Sequence, residues 1–327
     1  MESISNNQAV RRGRFAPTPS GFLHLGNALP ALLGWLQMRK AGGQFLLRIE
    51  DIDKPRCKPH YVEQIYRDMD WLGLDWDEGP GLEGDCAPYI QNERLQLYER
   101  ALDKLLALGH LYPCYCSRAE LMAIASAPHG LASLGPVYPG LCRELTEEER
   151  KQKAQLKTPS LRFAMPDRSQ SFLDGVLGEQ CFAAPAGGDF VVKRADGIIG
   201  YQLAVVVDDA LMGITDVLRG GDLLDSTPRQ LALFAAMDWA APQYAHVPLL
   251  VGEDGRRLAK RHGSITLNAL RASGTQPQQI IGLLAYLAGL LPEPEPIQAA
   301  DLIDEFEMSL IPNHHVTLDQ QAWQVLI

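Results

Sequence analysis

The stretch RFAPTPSGFLHLGNALPALLGWLQMRKAGGQFLLRIEDID, Arg14 to Asp53, leaves the chain few ways to fold. A short strand enters a loop stiffened by Pro17 and Pro19 and turned at Gly21. A helix then opens beside His24, with Asn27 placed to cap it and Pro30 in its first turn, and Gly42-Gly43 ends it. Gln44 to Ile49 is apolar enough for a buried parallel strand and runs into the charged cluster Glu50, Asp51, Asp53. Strand, tight loop and helix together present backbone N–H groups to phosphate.

Beyond this unit the pattern alternates. Helices are expected at about 61–72 and 92–108, the second with a stripe of Leu95, Tyr98, Leu102, Leu105 and Leu106. From 112 to 188 the texture changes to short elements, with capping boxes at Ser117/Glu120 and Thr146/Glu149, and this reads as an insertion carried on the core. Strands are expected at 189–193, 204–207 and 217–218, then a helix opened by Thr227 as N-cap and Pro228, then a strand at 246–251. A helix at about 276–290, the Pro-rich LPEPEP and a helix at about 299–306 close the chain. The expectation is a Rossmann-like, doubly wound α/β domain split by an insertion.

Composition narrows the class. A net charge of -10 argues against nonspecific coating of nucleic acid, though not against one local basic face. No apolar run approaches the ~20 residues of a membrane span. MESISNNQAVRR has no apolar segment, so residues 1–11 read as a flexible leader rather than a signal peptide. Six cysteines in 327 residues are too few for a disulfide framework and suit a reducing cytoplasm.

Four constellations could carry chemistry. His24 at a helix mouth, with Gly26 permitting close approach, suits a polyphosphate, where the bland reading is a surface histidine beside a turn. Arg14 and Glu50 at strand ends could grip an amino acid, Glu50 taking the ammonium; the alternative is a solvated charge cluster. Asp208, Asp209, Asp216, Arg219 and Asp222 look like a pocket wall at strand ends, with Arg219 suited to a carboxylate or phosphate. GRRLAKRHGS, with Arg256, Arg257, Lys260 and Arg261, could close over a triphosphate, or contact a nucleic-acid backbone. The G-x-x-x-x-G-K-[ST] phosphate loop is not present. Cys114, Cys116 and Cys142 raise a metal question that spacing leaves open, with Tyr138 or His129 as a fourth donor and three ordinary thiols as the alternative.

RFAPTPSGFLHLGN resembles the signature of class I aminoacyl-tRNA synthetases in its glutamyl form, with His24-Leu25-Gly26-Asn27 at the "HIGH" element and asparagine replacing its last histidine. RIEDID, DFVVKRADGIIGYQLAVVVDD and DVLRGGDLL resemble later blocks, and Arg257 to Lys260, RLAK, stands at the "KMSK" loop with arginine for the first lysine and Ala259 for serine. Only 67 residues follow Lys260, too few for a helical anticodon-binding portion, so the closer resemblance is to the truncated branch that acts on queuosine. That resemblance implies activation of L-glutamate by ATP with Mg2+, without tRNA, and transfer to queuosine in the anticodon of tRNA(Asp). The alternatives are a minimal glutamyl-tRNA synthetase charging a 3′ end and a silent tRNA-binding paralogue.

It further implies Arg14, Thr18, Glu50, Tyr201 and Arg219 as the glutamate pocket, and Arg219 as the partner of the side-chain carboxylate. His24, Asn27 and Lys260 would be catalytic, with Gly26 and Arg257 joining them around ATP. Cys114, Cys116, Tyr138 and Cys142 would hold one structural Zn2+. The expected organisation is a leader at 1–11, catalytic halves at 12–111 and 189–240, a zinc-binding module at 112–188 and a C-terminal region at 241–327, in a cytoplasmic monomer.

Overall fold

The computed structural model describes residues 10–82, 84–117, 120, 138–184, 187–255, 266–318 and 326. The strands that matter for the site are β1 (Arg12–Phe15), β2 (Gln44–Leu47), β3 (Leu111–Cys114), β4 (Ser160–Phe163), β5 (Gln170–Asp174), β6 (Gly178–Phe182), β7 (Phe190–Lys193), β8 (Asp216–Gly220) and β9 (Gln243–Val247). The main sheet has the order β2-β1-β8-β9-β5-β6. Neighbours from β2 to β5 run parallel, and β6 turns back antiparallel at the edge. A second sheet, β3-β4-β7, is antiparallel.

Helix α1 (Leu25–Lys40) is apolar on nearly every side because it is covered on two. It packs on β1 and β8 and, across its other face, on the helix Pro277–Leu287. Leu32 and Leu33 are fully buried there, and truncating either to alanine costs roughly 2–5 kcal/mol. On the opposite side, helices Leu95–Ala107, Tyr201–Leu211 and Thr227–Met237 share a second core with β4 and β7. Helices on both faces of a mostly parallel sheet leave the carboxyl ends of the strands as the open edge. Among the described residues no helix is long and apolar enough to cross a membrane.

Several local expectations change. Ala204 to Val207 is not a strand but the middle of the helix Tyr201–Leu211, whose residues Gln202 to Asp209 are all buried. An apolar run covered on all sides has no periodicity to separate helix from strand, and packing overrides the β preference of Val205-Val206-Val207. His24, not Asn27, is the N-cap of α1, which places Pro30 beyond the first turn, and Ser226, not Thr227, caps the helix Thr227–Met237. Leu95 and Leu106 are exposed, so the stripe on their helix is Tyr98, Ala101, Leu102 and Leu105.

The region 112–188 is shared between the two sheets. β3 pairs with β4 and β4 with β7, whereas the β5–β6 hairpin joins the main sheet through Asp174 opposite Tyr244 of β9. Both expected capping boxes are present: Ser117 and Glu120 exchange bonds, as do Thr146 and Glu149.

Candidate active site

A cleft of about 340 Å3 opens where β1 and β8 end. Arg14, Thr18, Glu50, Tyr201 and Arg219 line it. His24, Gly26 and Asn27 line it from the start of α1. The loop between β1 and α1 is tied to the strand beside it by backbone bonds: Arg48 N donates to Phe15 O at 3.0 Å and Glu50 N to Pro17 O at 3.1 Å. That ladder is why residues 34 apart in sequence, Ala16 and Glu50, border one cavity.

The helix start is shaped for close contact. Asn27 Oδ1 accepts from His24 N at 3.3 Å, closing the first turn. A Cβ on Gly26 would lie 3.1 Å from two atoms of the His24 ring, so a side chain there would push the imidazole aside. His24 is also bridged to Thr266, and Leu267 N donates to Leu23 O at 2.9 Å. Thr266 is where the described chain resumes after the basic loop. Arg257, Lys260 and Ala259 of that loop, and His129, lie outside the described residues.

Behind the cleft sits a buried charge network. Fully buried Arg48 donates to Asp209 at 2.7 Å and to Glu50 at 3.1 Å, with Asp208 at 3.7 Å from its Nε. Arg14 donates to the same Asp209 at 3.2 Å, and Arg94 to Asp208 at 2.6 Å. Asp208 and Asp209 are therefore structural acids on a helix, not a pocket wall, and Asp51 accepts from Asn92 N at 2.9 Å away from the cleft. Burial pushes the Glu50 carboxyl up, against the pull of Arg48 and Arg14. Asp209 is pushed the same way by burial but ends below its ordinary value because two arginines outweigh it. Burial, with Glu50 adding to it, moves the Tyr201 phenol up to about 12, so it stays a protonated donor at neutral pH.

Arg219 sits in different company. It donates to His246 Nε2 at 3.0 Å, Gln230 Oε1 at 2.8 Å, Thr227 Oγ1 at 2.9 Å and Leu223 O at 3.3 Å, all neutral acceptors. Its guanidinium lies 5.0 Å from the Tyr244 ring centroid. His246 and its partner Asp174 belong to no motif that marks them in the sequence. The available signal was a polar residue inside an apolar strand, YAHVPLLV, and an acid closing another, SFLD.

A separate cluster joins Cys114 and Cys116, at the end of β3, to Cys142, their sulfurs all within 4.8 Å of one another. The Tyr138 hydroxyl lies 3.5 Å from both Cys114 and Cys116 and accepts from Cys142 N at 2.9 Å. Burial opposes ionisation of the Cys114 and Cys116 thiols. Even so, Tyr138 and Arg162 hold Cys114 below its usual value, while Cys116, crowded by its neighbours, rises to about 11. Thiols this close ionise together only around a cation, so the three cysteines could hold a metal ion. All six cysteines are free.

The family model for tRNA synthetases class I (E and Q), catalytic domain, matches residues 10–321. A Symbiobacterium thermophilum protein named Glutamyl-Q tRNA(Asp) synthetase is 62% identical over 95% of this chain and 96% of its own length. One of the same name from Nitratidesulfovibrio vulgaris is 50% identical over 92% and 93%. Among solved structures, the glutamate-tRNA synthetase of Elizabethkingia anophelis superposes with a TM-score of 0.86 at 29% identity, covering 97% of this chain and 70% of that one.

Proposed function

Since this chain belongs to the family of class I tRNA synthetases (E and Q), matched over the catalytic domain, we propose that it activates L-glutamate with ATP and transfers it to queuosine in the anticodon of tRNA(Asp). The observation that carries the proposal is convergence: a helix-start phosphate site and a pocket holding two buried arginines, an acid and a tyrosine share one cleft. The queuosine acceptor is supported by the two relatives named for it, each matched along almost its whole length.

In the first step an α-carboxylate oxygen of glutamate attacks the α-phosphorus of Mg-ATP in line, and pyrophosphate leaves. Catalysis of such a step is positioning plus compensation of charge on the phosphate oxygens. Glu50 takes the ammonium, and Arg14, Thr18 and Tyr201 orient the backbone end of the substrate. Arg219 takes the side-chain carboxylate and so prefers it to a carboxamide. His24, Gly26 and Asn27 hold the phosphates at the start of α1, and Arg257 and Lys260 serve the departing pyrophosphate. In the second step a queuosine hydroxyl attacks the mixed anhydride. The ester bond forms, AMP leaves, and a phosphate oxygen of the adenylate accepts the hydroxyl proton.

Cys114, Cys116, Cys142 and Tyr138 hold one Zn2+ in this proposal, a four-donor set with no position left for substrate. The zinc content of Cys142→Ser is expected to fall well below the one ion per chain of the native protein, as read by elemental analysis. The enzyme is a cytoplasmic monomer with catalytic halves at 12–111 and 189–240, a zinc-binding module at 112–188, a leader at 1–11 and a C-terminal region at 241–327.

The test is charging of radiolabelled glutamate onto tRNA(Asp) with and without queuosine, beside tRNA(Glu). Label that requires queuosine is the expected result. Label at the 3′ end of tRNA(Glu) would replace the proposal with a conventional synthetase, and a folded protein that labels neither would fit a silent paralogue.

A further inference from the structure

We infer that Asp174 and His246 are positioning residues for glutamate selection, acting as a hydrogen-bonded relay that fixes the plane of the Arg219 guanidinium. The inference rests on the assignment of Arg219 as the anchor of the substrate side chain.

The relay can be followed bond by bond. Asp174 closes β5, and its Oδ1 accepts from Val176 N at 3.0 Å, Leu177 N at 2.9 Å and His246 N at 3.1 Å. Its Oδ2 lies 2.6 Å from His246 Nδ1. His246 is fully buried on β9, directly opposite Arg219 of β8 in the parallel register. Its Nε2 accepts from Arg219 Nε at 3.0 Å.

Only one protonation state satisfies these contacts. A carboxylate accepts, so Nδ1 must carry the proton; a guanidinium only donates, so Nε2 must offer a lone pair. His246 is thus the neutral Nδ1–H tautomer. An imidazolium, or the other tautomer, would set an N–H against the Arg219 N–H. Thr227 Oγ1, 3.2 Å from Nε2, accepts from Arg219 Nη2 and completes the cradle with Gln230.

Two features make this more than core filling. The partners of Arg219 in these bonds are neutral, so its charge is oriented without being cancelled. Asp174 also comes from the β5–β6 hairpin, which joins the main sheet beside β9. The insertion therefore contributes to the amino-acid pocket through Asp174, acting by way of His246 on β9, and neither side chain lines the cleft.

The experiment is Asp174→Asn in glutamate-dependent ATP–pyrophosphate exchange. The carboxamide oxygen can keep the three backbone N–H bonds, while its NH2 faces Nδ1 and drives His246 to the wrong tautomer. The expected result is a rise of about tenfold or more in KM for glutamate, KM for ATP within about twofold, and weaker discrimination against glutamine. Unchanged glutamate KM and discrimination, or equal loss for both substrates, overturns the relay.

A 15N spectrum of the imidazoles in the native protein tests the same point without a variant. A neutral Nδ1–H signal for His246 is expected near pH 7, and an imidazolium or Nε2–H signal overturns it. Arg219→Lys separates the two layers. Wild-type glutamate KM in that variant breaks the assignment beneath the relay, and the relay with it; a raised KM there with a silent Asp174→Asn breaks the relay alone.

Discussion

Arg48, just past β2, and Arg219, on β8, are both buried arginines, yet they sit in opposite surroundings. Arg48 is packed among Asp208, Asp209 and Glu50 and is fully buried. Its charge is met inside the protein, and burial notwithstanding, those three acids drive its pKa above the ordinary arginine range. Arg219 donates instead to a neutral imidazole, a carboxamide, a hydroxyl and a backbone carbonyl, and it borders the cleft. A buried arginine answered by acids holds the fold together. One held by neutral acceptors at the edge of a cleft has a charge that those acceptors do not cancel.

Substitutions should separate the two roles, the largest effect first. Arg48→Met removes the cation shared by three buried carboxylates, leaving Asp209 only Arg14 and Asp208 only Arg94, and is expected to cost about 3–5 kcal/mol, read by denaturant unfolding. If Arg48→Met is as stable as the native protein, the structural half of the contrast is wrong. Arg219→Lys is expected to lower kcat/KM for glutamate by about a hundredfold while costing only about 1–3 kcal/mol of stability, since lysine has neither the fork nor the reach. Steady-state exchange kinetics beside an unfolding curve give both numbers.

Smaller effects sharpen the picture. Gly26→Ala displaces the His24 ring and should raise KM for ATP by about tenfold with glutamate KM little changed, since Arg219 is untouched. The smallest is a pH effect. Burial first, and then the Arg219 charge, hold His246 below its ordinary value, with Asp174 pulling upward. A depressed imidazole takes up its proton later in the folded than in the unfolded state. Its stabilising contribution is therefore full above an unfolded pKa of about 6.5 and is lost as pH falls below it. Unfolding midpoints should decline between about pH 7 and 5, and His246→Gln should flatten that part of the slope.

The clustering of the first βαβ unit's candidate residues around one cleft is readable in sequence because it is local. Thr18 on the loop, and His24 and Gly26 at the start of α1, lie within nine residues, and the strand Gln44–Leu47 that brings Glu50 follows that helix. Arg219 is readable for the same reason, marked by the glycines of DVLRGGDLL. His246 and Asp174 are not, because 72 residues and a crossing of the sheet separate them, and each looks like an ordinary strand residue. Asp208 and Asp209 mislead in the other direction. Two acids after VVV look like a strand end, but a helix wrapped on all sides carries them inward to Arg48 and Arg94.

The central claim, that Arg219 faces a carboxylate in a cleft built for adenylation, is tested most directly by ATP–pyrophosphate exchange without tRNA, run with glutamate and with glutamine at equal concentration. Exchange with glutamate and little or none with glutamine is the predicted result. Equal exchange with both, or none with glutamate from protein shown to be folded, would contradict it.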